Sequence, residues 1–434
     1  MMRSVQGTDQ STPVQSAPVS FAELISAFLK RYFHLFIAKK MFPKLLYCAV
    51  VACFLTMLNL AAAAPHVPAS DDAVLERLPF RPNDPVAREM ATLRTALRQN
   101  PKDEQAAVKL AQRYYGLVAE EGDPRYIGYA QAALAPWWSM AEPPLEVQLM
   151  RASLAQFNHD FSGSLRDLNS IITRYPTHPQ ARALRAIIHL VQARYDAARI
   201  DCRALHGITD ELIAVGCDAM TDGLTGKADA ALQTLAAEFA RHPQATPDEK
   251  LWVLVRLAEL AQRLGKIELA ESYFKQAVAL NISDTFLLAA YADLLLDQHR
   301  PDAVETLLKD RTRSDVLLLR LVFAEQTLKL PTSEQLARTL ASRYAAAQLR
   351  GDTVHQQEEA RFALAVEHDA AKALDLALKN WVVQREPRDA RIVLEAALAA
   401  KQTAAAKQVI EWIVTSGIED PTLLQLAQKI KGGA

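Results

Sequence analysis

Leu251–Val278, LWVLVRLAELAQRLGKIELAESYFKQAV, is the stretch of this sequence that decides its fold. Its second half places the bulky Phe274 between two alanines, so a second helix can approach the first closely at the small residues. The stretch therefore predicts two packed helices joined by a short turn. In its first half, apolar residues have the i, i+3, i+4, i+7 spacing of one helix stripe: Leu254, Leu257, Ala258 and Ala261.

The same pattern recurs one repeat length later. An interval of 34 residues separates Leu257 from Tyr291, a period typical of arrays in which no helix-turn-helix unit can bury its apolar face alone. The start of the first unit is also marked locally, because Thr246-Pro247-Asp248-Glu249 has the form of a capping box with proline at the first helical position. The sequence thus predicts an all-α fold built from repeated helix pairs. The second copy continues through Leu288, Ala292, Leu295, Val304 and Leu308.

This pattern resembles the tetratricopeptide repeat, and the resemblance implies a right-handed α-solenoid of about nine helical pairs over residues 101–434. The match is weakest through Asp315–Arg350. Interruptions at Glu120–Pro124 and Ala135–Pro144 are predicted to be loop insertions or a break between two stacks. The other units are identified by Leu110, Ala111 and Tyr114; Arg151, Ala152, Phe161 and Leu168; Arg185, Ala186, Tyr195 and Ala198; Ala219, Gly226, Ala231 and Leu235; Ala360, Leu364, Ala373 and Ala377; and Leu394, Ala397, Ala406 and Ile410.

The N-terminal region carries the sequence signals for location. Residues 41–64 combine basic residues, an apolar run from Leu45 to Leu60 and four alanines, which predicts a cleaved secretory signal peptide or, as the alternative, an uncleaved membrane anchor. Residues 1–40 are interpreted as an upstream extension, with Met1 or Met41 as the start. Residues 65–100 are interpreted as a linker and a first helix. Both alternatives place the repeats outside the cytoplasm, in the periplasm or secreted.

The predicted export determines which cysteines remain in the mature chain and whether they can pair. Removal of the N-terminal segment leaves Cys202 and Cys217, which the repeat pattern places near the end of one helix B and within the next helix A. An even pair in an oxidising compartment favours a disulfide, while two buried thiols remain the alternative.

Composition and motifs argue against several function classes. The chain has 49 basic and 50 acidic residues and no run of Lys and Arg with interleaved aromatics, so we expect no nucleic-acid partner. It contains no His-Glu-x-x-His, Gly-x-Ser-x-Gly or Cys-x-x-Cys motif. We therefore expect no enzymatic activity, no cofactor and no metal site.

The resemblance also implies where a partner would bind. In tetratricopeptide arrays the A helices line a concave groove that holds protein or peptide segments, so we expect a non-enzymatic scaffold in an envelope-associated assembly. The alternative is a protein that binds or processes envelope polysaccharide or peptidoglycan, with Glu259 and Asp293 as a carboxylate pair. The groove-facing candidates by position are Gln105, Tyr115, Gln156, Gln180, Trp252, Glu259, Gln262, Phe286 and Asp293.

Overall fold

The computed structural model describes residues 84–432. They belong to a compact unit that spans Phe80–Ala434. The predicted extension, signal peptide or anchor, and most of the predicted linker lie outside the described residues. The first helix that we expected within residues 65–100 begins at Pro85.

The described residues form twenty α-helices and no β-strand. After α1, eighteen of them pair into nine helical hairpins, here numbered 1 to 9, and α20 follows the last hairpin. The first helix of each hairpin is its helix A and the second is its helix B. The bounds are α1 Pro85–Gln99, α2 Glu104–Glu121, α3 Arg125–Ala133, α4 Leu145–Phe157, α5 Phe161–Arg174, α6 Pro179–Val191, α7 Tyr195–Leu205, α8 Glu211–Gly223, α9 Ala228–Arg241, α10 Pro247–Arg263, α11 Ile267–Val278, α12 Thr285–Asp297, α13 Pro301–Leu308, α14 Asp315–Leu328, α15 Ser333–Leu349, α16 Gln356–Ala365, α17 Ala370–Val383, α18 Pro387–Ala399, α19 Lys407–Ser416 and α20 Pro421–Gly432.

Local signals account for the hairpins. The capping box predicted at Thr246 is confirmed, with the Thr246 hydroxyl accepting from the Glu249 amide and the Glu249 carboxylate accepting in return. Phe274 is fully buried between the alanines of α11 and stacks on Tyr291 of the next hairpin, with ring centroids 5.4 Å apart. The weakly matching Asp315–Arg350 region also folds as a hairpin, α14 with α15. Leucines lie on several sides of its helix A, α14, and they pack on both neighbouring hairpins.

The proline-rich interruption before α4 is a loop held down on the first hairpins. Trp137 is buried in the N-terminal core cluster, and Trp138 packs against it. Arg151 of α4 donates to the carbonyl oxygens of Trp138 and Met140, both at 2.8 Å. The tryptophans therefore anchor the insertion.

Contacts between hairpins that are distant in sequence join the array to itself. We call the turn between helices A and B an intra-hairpin turn and the turn between successive hairpins an inter-hairpin turn. The Arg385 amide donates to the Val191 carbonyl at 2.7 Å, and the Trp412 indole donates to the Tyr195 hydroxyl at 2.9 Å. The Ala228 amide donates to the Glu419 carboxylate at 2.7 Å. Intra-hairpin turns of the first half therefore contact inter-hairpin turns and helices of the second half.

This long-range contact, which we call the seam, runs through the intra-hairpin turns of hairpins 1 to 5. At its N-terminal end the Ser283 hydroxyl donates to the Glu120 carbonyl at 3.0 Å. Further along, His159 lies 3.1 Å from the Gln384 amide nitrogen. Its apolar part consists of residues from hairpins 3 and 4 that are buried in the core cluster of α16 to α20: Leu190, Ala198 and Leu224. The seam therefore has its own core and is more than a set of surface hydrogen bonds.

Candidate functional site

The A helices α10 and α12 present an aromatic ring between two guanidinium groups. Phe286 is 37% exposed, and the guanidinium carbons of Arg256 and Arg388 lie 4.9 and 5.6 Å from its ring centroid. Arg256 comes from the neighbouring helix A, whereas Arg388 comes from α18, three hairpins further along the chain. The Phe286 ring is therefore a cation-π acceptor, and two arginines of the chain itself partly cover it.

Two helical turns further along α12, Asp293 binds two arginines from different hairpins. Its carboxylate accepts from Arg320 of α14 at 2.6 Å and from Arg361 of α16 at 2.9 Å. Burial would raise the pKa of Asp293, but the two guanidinium groups outweigh it and hold the pKa well below its usual range. Asp293 is therefore a permanent anion at neutral pH.

The C-terminal end of α12 makes a third contact with an arginine of another hairpin. Asp297 accepts a bidentate pair of hydrogen bonds from Arg391 of α18, at 2.7 and 2.8 Å. Arg391 also pairs with Glu395, one turn further along its own helix, at 2.7 Å. Together with Phe286 and Asp293, Asp297 forms an acceptor row on α12, and arginines of α10, α14, α16 and α18 fill this row.

Trp252 lies apart from this row. It is half-buried, and its six-membered ring packs directly over Gly216 of α8, where any side-chain carbon would collide with it. The ring thus fills the contact between two successive A helices. Arginine side chains, rather than Trp252, flank Phe286.

The other groove candidates fall into two groups. Gln105 and Gln180 are exposed, whereas Gln156 and Gln262 are half-buried. Tyr115 packs against the N-terminal core cluster, and burial raises the pKa of its hydroxyl.

The remaining candidate, Glu259, is half-buried and lies 3.1 Å from the Arg256 guanidinium. The carboxylate pair proposed for the polymer alternative is thus held by arginines at both members, Glu259 by Arg256 and Asp293 by Arg320 and Arg361. A glycosidase-type general acid instead needs a raised pKa.

The structure joins Cys202 and Cys217 in a disulfide between α7 and α8, with Cα atoms 5.3 Å apart. Both cysteines are buried in a small cluster with Ala186, Leu205 and Ala214. Just outside, His206 bridges two carboxylates of α8, Glu211 and Asp218, each at 2.8 Å. Hydrogen bonds from the His206 ring to the two carboxylates raise the pKa of His206, mainly through Asp218. The α7–α8 turn is therefore fixed by a covalent and an ionic link.

Among residues 84–432, no cluster of His, Cys, Asp and Glu has the arrangement of a metal site. Over the same residues, every helix is too short or too polar to cross a bilayer.

The arginines that contact α12 are the candidate-site residues that sequence reasoning missed. Arg361, Arg388 and Arg391 are ordinary helix residues by spacing, and only the packing of hairpins 8 and 9 against α12 brings them there. A repeat signal was available for a different set: Arg151 pairs with Asp167 at 2.6 Å, and the equivalent residues 34 positions later, Arg185 and Asp201, pair at 2.7 Å. That signal marks pairs within a hairpin, but not contacts between α12 and the helices of hairpins 8 and 9.

The described residues define a helical-hairpin repeat protein, and solved structures of tetratricopeptide repeat proteins are similar to it. A tetratricopeptide repeat protein from Parabacteroides merdae is 14% identical, with 59% of this chain and 90% of that chain covered and a TM-score of 0.40. The Cut9-Hcn1 hetero-tetramer of APC/C is 11% identical, with 80% and 66% covered and a TM-score of 0.44. Yeast Tom70 is 11% identical, with 80% and 96% covered and a TM-score of 0.29. No family model matches the sequence, and the curated proteins include no match.

Proposed function

We propose that this chain is an exported, non-enzymatic scaffold that binds a protein or peptide segment in an envelope-associated assembly. The binding face is the A-helix face of α10 and α12, around Phe286. The partner is a polypeptide, and neither nucleic acid nor a cofactor takes part. A membrane is involved only if the N-terminal apolar segment stays uncleaved.

The observation that carries this proposal is the environment of Phe286. A phenylalanine that is 37% exposed on a helix otherwise packed into the array is a candidate anchor, because aromatic side chains in partly desolvated pockets carry much of the energy of protein interfaces. The Arg256 and Arg388 guanidinium groups extend the ring into a flat, mixed apolar and cationic surface. Such a surface fits a peptide that offers an aromatic or carboxylate side chain.

The ion pairs of the neighbouring carboxylates support the proposal that the scaffold is not an enzyme. The lowered pKa of Asp293 keeps this carboxylate ionised near neutral pH, so it is not poised to donate a proton. Asp293 instead holds Arg320 and Arg361, and Glu259 pairs with Arg256, which borders Phe286.

Two features support export. The apolar run of residues 45–60 after basic residues is typical of a secretory signal, and the paired Cys202 and Cys217 suit an oxidising compartment. The experiment for this part is fractionation of the producing cell, followed by thiol labelling of the full chain. Recovery in the cytoplasm with both thiols free would contradict export.

The binding face is tested by site-specific photo-crosslinking in the full chain. A photoreactive amino acid at Phe286 should trap a specific polypeptide in the envelope, whereas one at Ile200, 64% exposed on helix B α7, should not trap that polypeptide. Phe286→Ala should weaken capture of the trapped polypeptide by roughly tenfold or more, the range of an interface anchor. Tyr175→Ala, at another exposed aromatic outside the A helices, is the control.

The outcomes separate the candidates. Equal trapping from both positions, or unchanged capture by Phe286→Ala, would place the partner elsewhere. Retention of glycan fragments alone would favour the polymer-binding alternative. Trp252 is left intact in these variants, because its packing over Gly216 would confuse loss of binding with loss of structure.

A further inference from the structure

The seam uses only part of the surface that could form it. The intra-hairpin turns of hairpins 6 to 9 each contain a residue with positive φ, as do the turns of hairpins 1 to 5 that the seam covers. These later positions are exposed, and all of them carry a lysine or histidine: His299, Lys329, His368 and Lys401. Hairpins 6 to 9 therefore present a second edge of the same kind, which we call the open intra-hairpin edge.

The opposite surface has an open edge as well, made of the inter-hairpin turns before α2, α4, α6, α8 and α10. The turn before α8 reads Gly207-Ile208-Thr209-Asp210, and the seam turn before α20 reads Gly417-Ile418-Glu419-Asp420. The glycines have φ of +77° and +70°, and each aspartate caps the helix that follows. The chain thus carries the same four-residue turn twice, once inside the seam and once on the open inter-hairpin edge.

The seam copy shows what this turn contacts. An added methyl at Gly226 would lie 3.0 Å from the Gly417 carbonyl oxygen, so the two backbones meet directly. The Glu419 carboxylate accepts from the Ala228 amide at the start of α9, a helix that has no side-chain cap of its own. On the open intra-hairpin edge, α13 and α15 also begin without a side-chain cap.

Charge distinguishes the two open edges. The positive-φ positions of the open intra-hairpin edge are lysine or histidine, and Lys329 and His368 border one hollow together with Phe323 and Ser333. The open inter-hairpin edge carries N-cap aspartates before α2 and α8, Asp103 and Asp210. Asp210 on one edge and Lys329 on the other are complementary in charge between molecules.

We propose that the two open edges bind each other in a second copy of this chain, which continues the seam from one molecule to the next. The Gly207–Asp210 turn of one copy lies against the Lys329 and His368 turns of its neighbour. The contact is heterologous, because it joins two different surfaces, and successive copies therefore associate head to tail. This assembly is separate from the proposed binding at Phe286 and does not depend on export.

The test is sedimentation of the full chain over a wide range of concentrations, for wild type and single-edge variants. Thr209→Glu reproduces the Gly-Ile-Glu-Asp turn of the seam and should tighten self-association. Lys329→Glu and Thr209→Arg each place like charges at the contact and should weaken it about tenfold. Lys309→Glu, an exposed lysine at the end of α13, is the control and should leave it unchanged.

A mixing experiment tests the head-to-tail geometry. Thr209→Arg and Lys329→Glu chains each retain one unaltered edge, and their altered edges carry opposite charges, so an equimolar mixture should form heterodimers and associate more tightly than either variant alone. Circular dichroism of each variant checks that the fold is kept. The proposal is overturned if wild type and Thr209→Glu stay monomeric at every concentration, if association ignores all three edge variants, or if the mixture gives no heterodimer.

Discussion

Substitution of Gly226 tests the seam directly. Gly226 lies in the intra-hairpin turn of hairpin 4 with φ of +75°, and a methyl group there would lie 3.0 Å from the Gly417 carbonyl oxygen. Gly226→Ala should therefore carry two costs. The left-handed backbone costs an alanine about 1–2 kcal/mol, and forcing a methyl against a packed backbone adds roughly 1–2 kcal/mol more.

Gly207→Ala is the matched control for the first cost. Its φ is +77°, but the added methyl meets no atom of the described chain within 4 Å. Gly265→Ala is intermediate, because its methyl would lie 3.6 Å from Pro421, an ordinary contact distance. The expected order of destabilisation is Gly226 above Gly265, with Gly265 equal to or slightly above Gly207.

Urea unfolding at dilute protein concentration measures these differences from the midpoints, provided that the m-values agree. The seam accounts for the difference between the Gly226 and Gly207 variants, about 1–2 kcal/mol. A difference below about 0.5 kcal/mol would refute the reasoning, because it would mean that the two turns do not meet in solution.

Three further predictions concern the disulfide, the seam histidine and the acceptor row. Serine at Cys202 and Cys217 removes a cross-link across 15 residues and should cost about 3 kcal/mol in urea unfolding, a loss that reductant should reproduce in wild type but not in the variant. Burial lowers the pKa of His159 to about 4, so the free energy of unfolding should fall as pH drops from 6.5 towards 4, by at most about 1.4 kcal/mol per pH unit. His159→Gln should flatten that slope, and parallel pH profiles of wild type and variant would contradict the assignment to His159. Asp293→Asn removes the carboxylate from Arg320, only 2% exposed, and should cost about 3–5 kcal/mol in thermal or urea unfolding; a loss below 1 kcal/mol would show that the guanidinium finds another partner.

The hairpins could be predicted from the sequence because their signals are local. Phe274 between two alanines specifies one helix pair, and the Thr246 capping box specifies where that pair begins. Trp381 of α17 is buried and meets the Trp412 ring of the next hairpin edge-on at 5.4 Å. Such features lie within one or two hairpins, which is the range over which a 34-residue period carries information.

The seam could not be predicted in this way. Its hydrogen bonds, such as that of Trp412 with Tyr195, join residues 163 to 225 positions apart, and nothing in a repeat pattern specifies which distant hairpins meet. That pairing depends on the small rotation between successive hairpins, which accumulates along the array. The candidate site was correspondingly only half predictable: position in the repeat selects Phe286 and Asp293, but their arginine partners arrive from α14, α16 and α18.

The seam changes what binding at the A-helix face would do to the molecule. In an open solenoid each hairpin contacts only its neighbours, so a partner on α12 would stabilise α10 to α14 alone. Here Arg388 and Arg391 link α12 to hairpin 9, and Trp412 links that hairpin back to hairpin 3. A partner that displaces Arg388 from Phe286 therefore removes one of the contacts that hold hairpin 9 against α12. Binding at Phe286 and the attachment of hairpin 9 to α12 are consequently coupled, and by linkage a variant that weakens this attachment, at Arg391 for example, should bind such a partner more tightly.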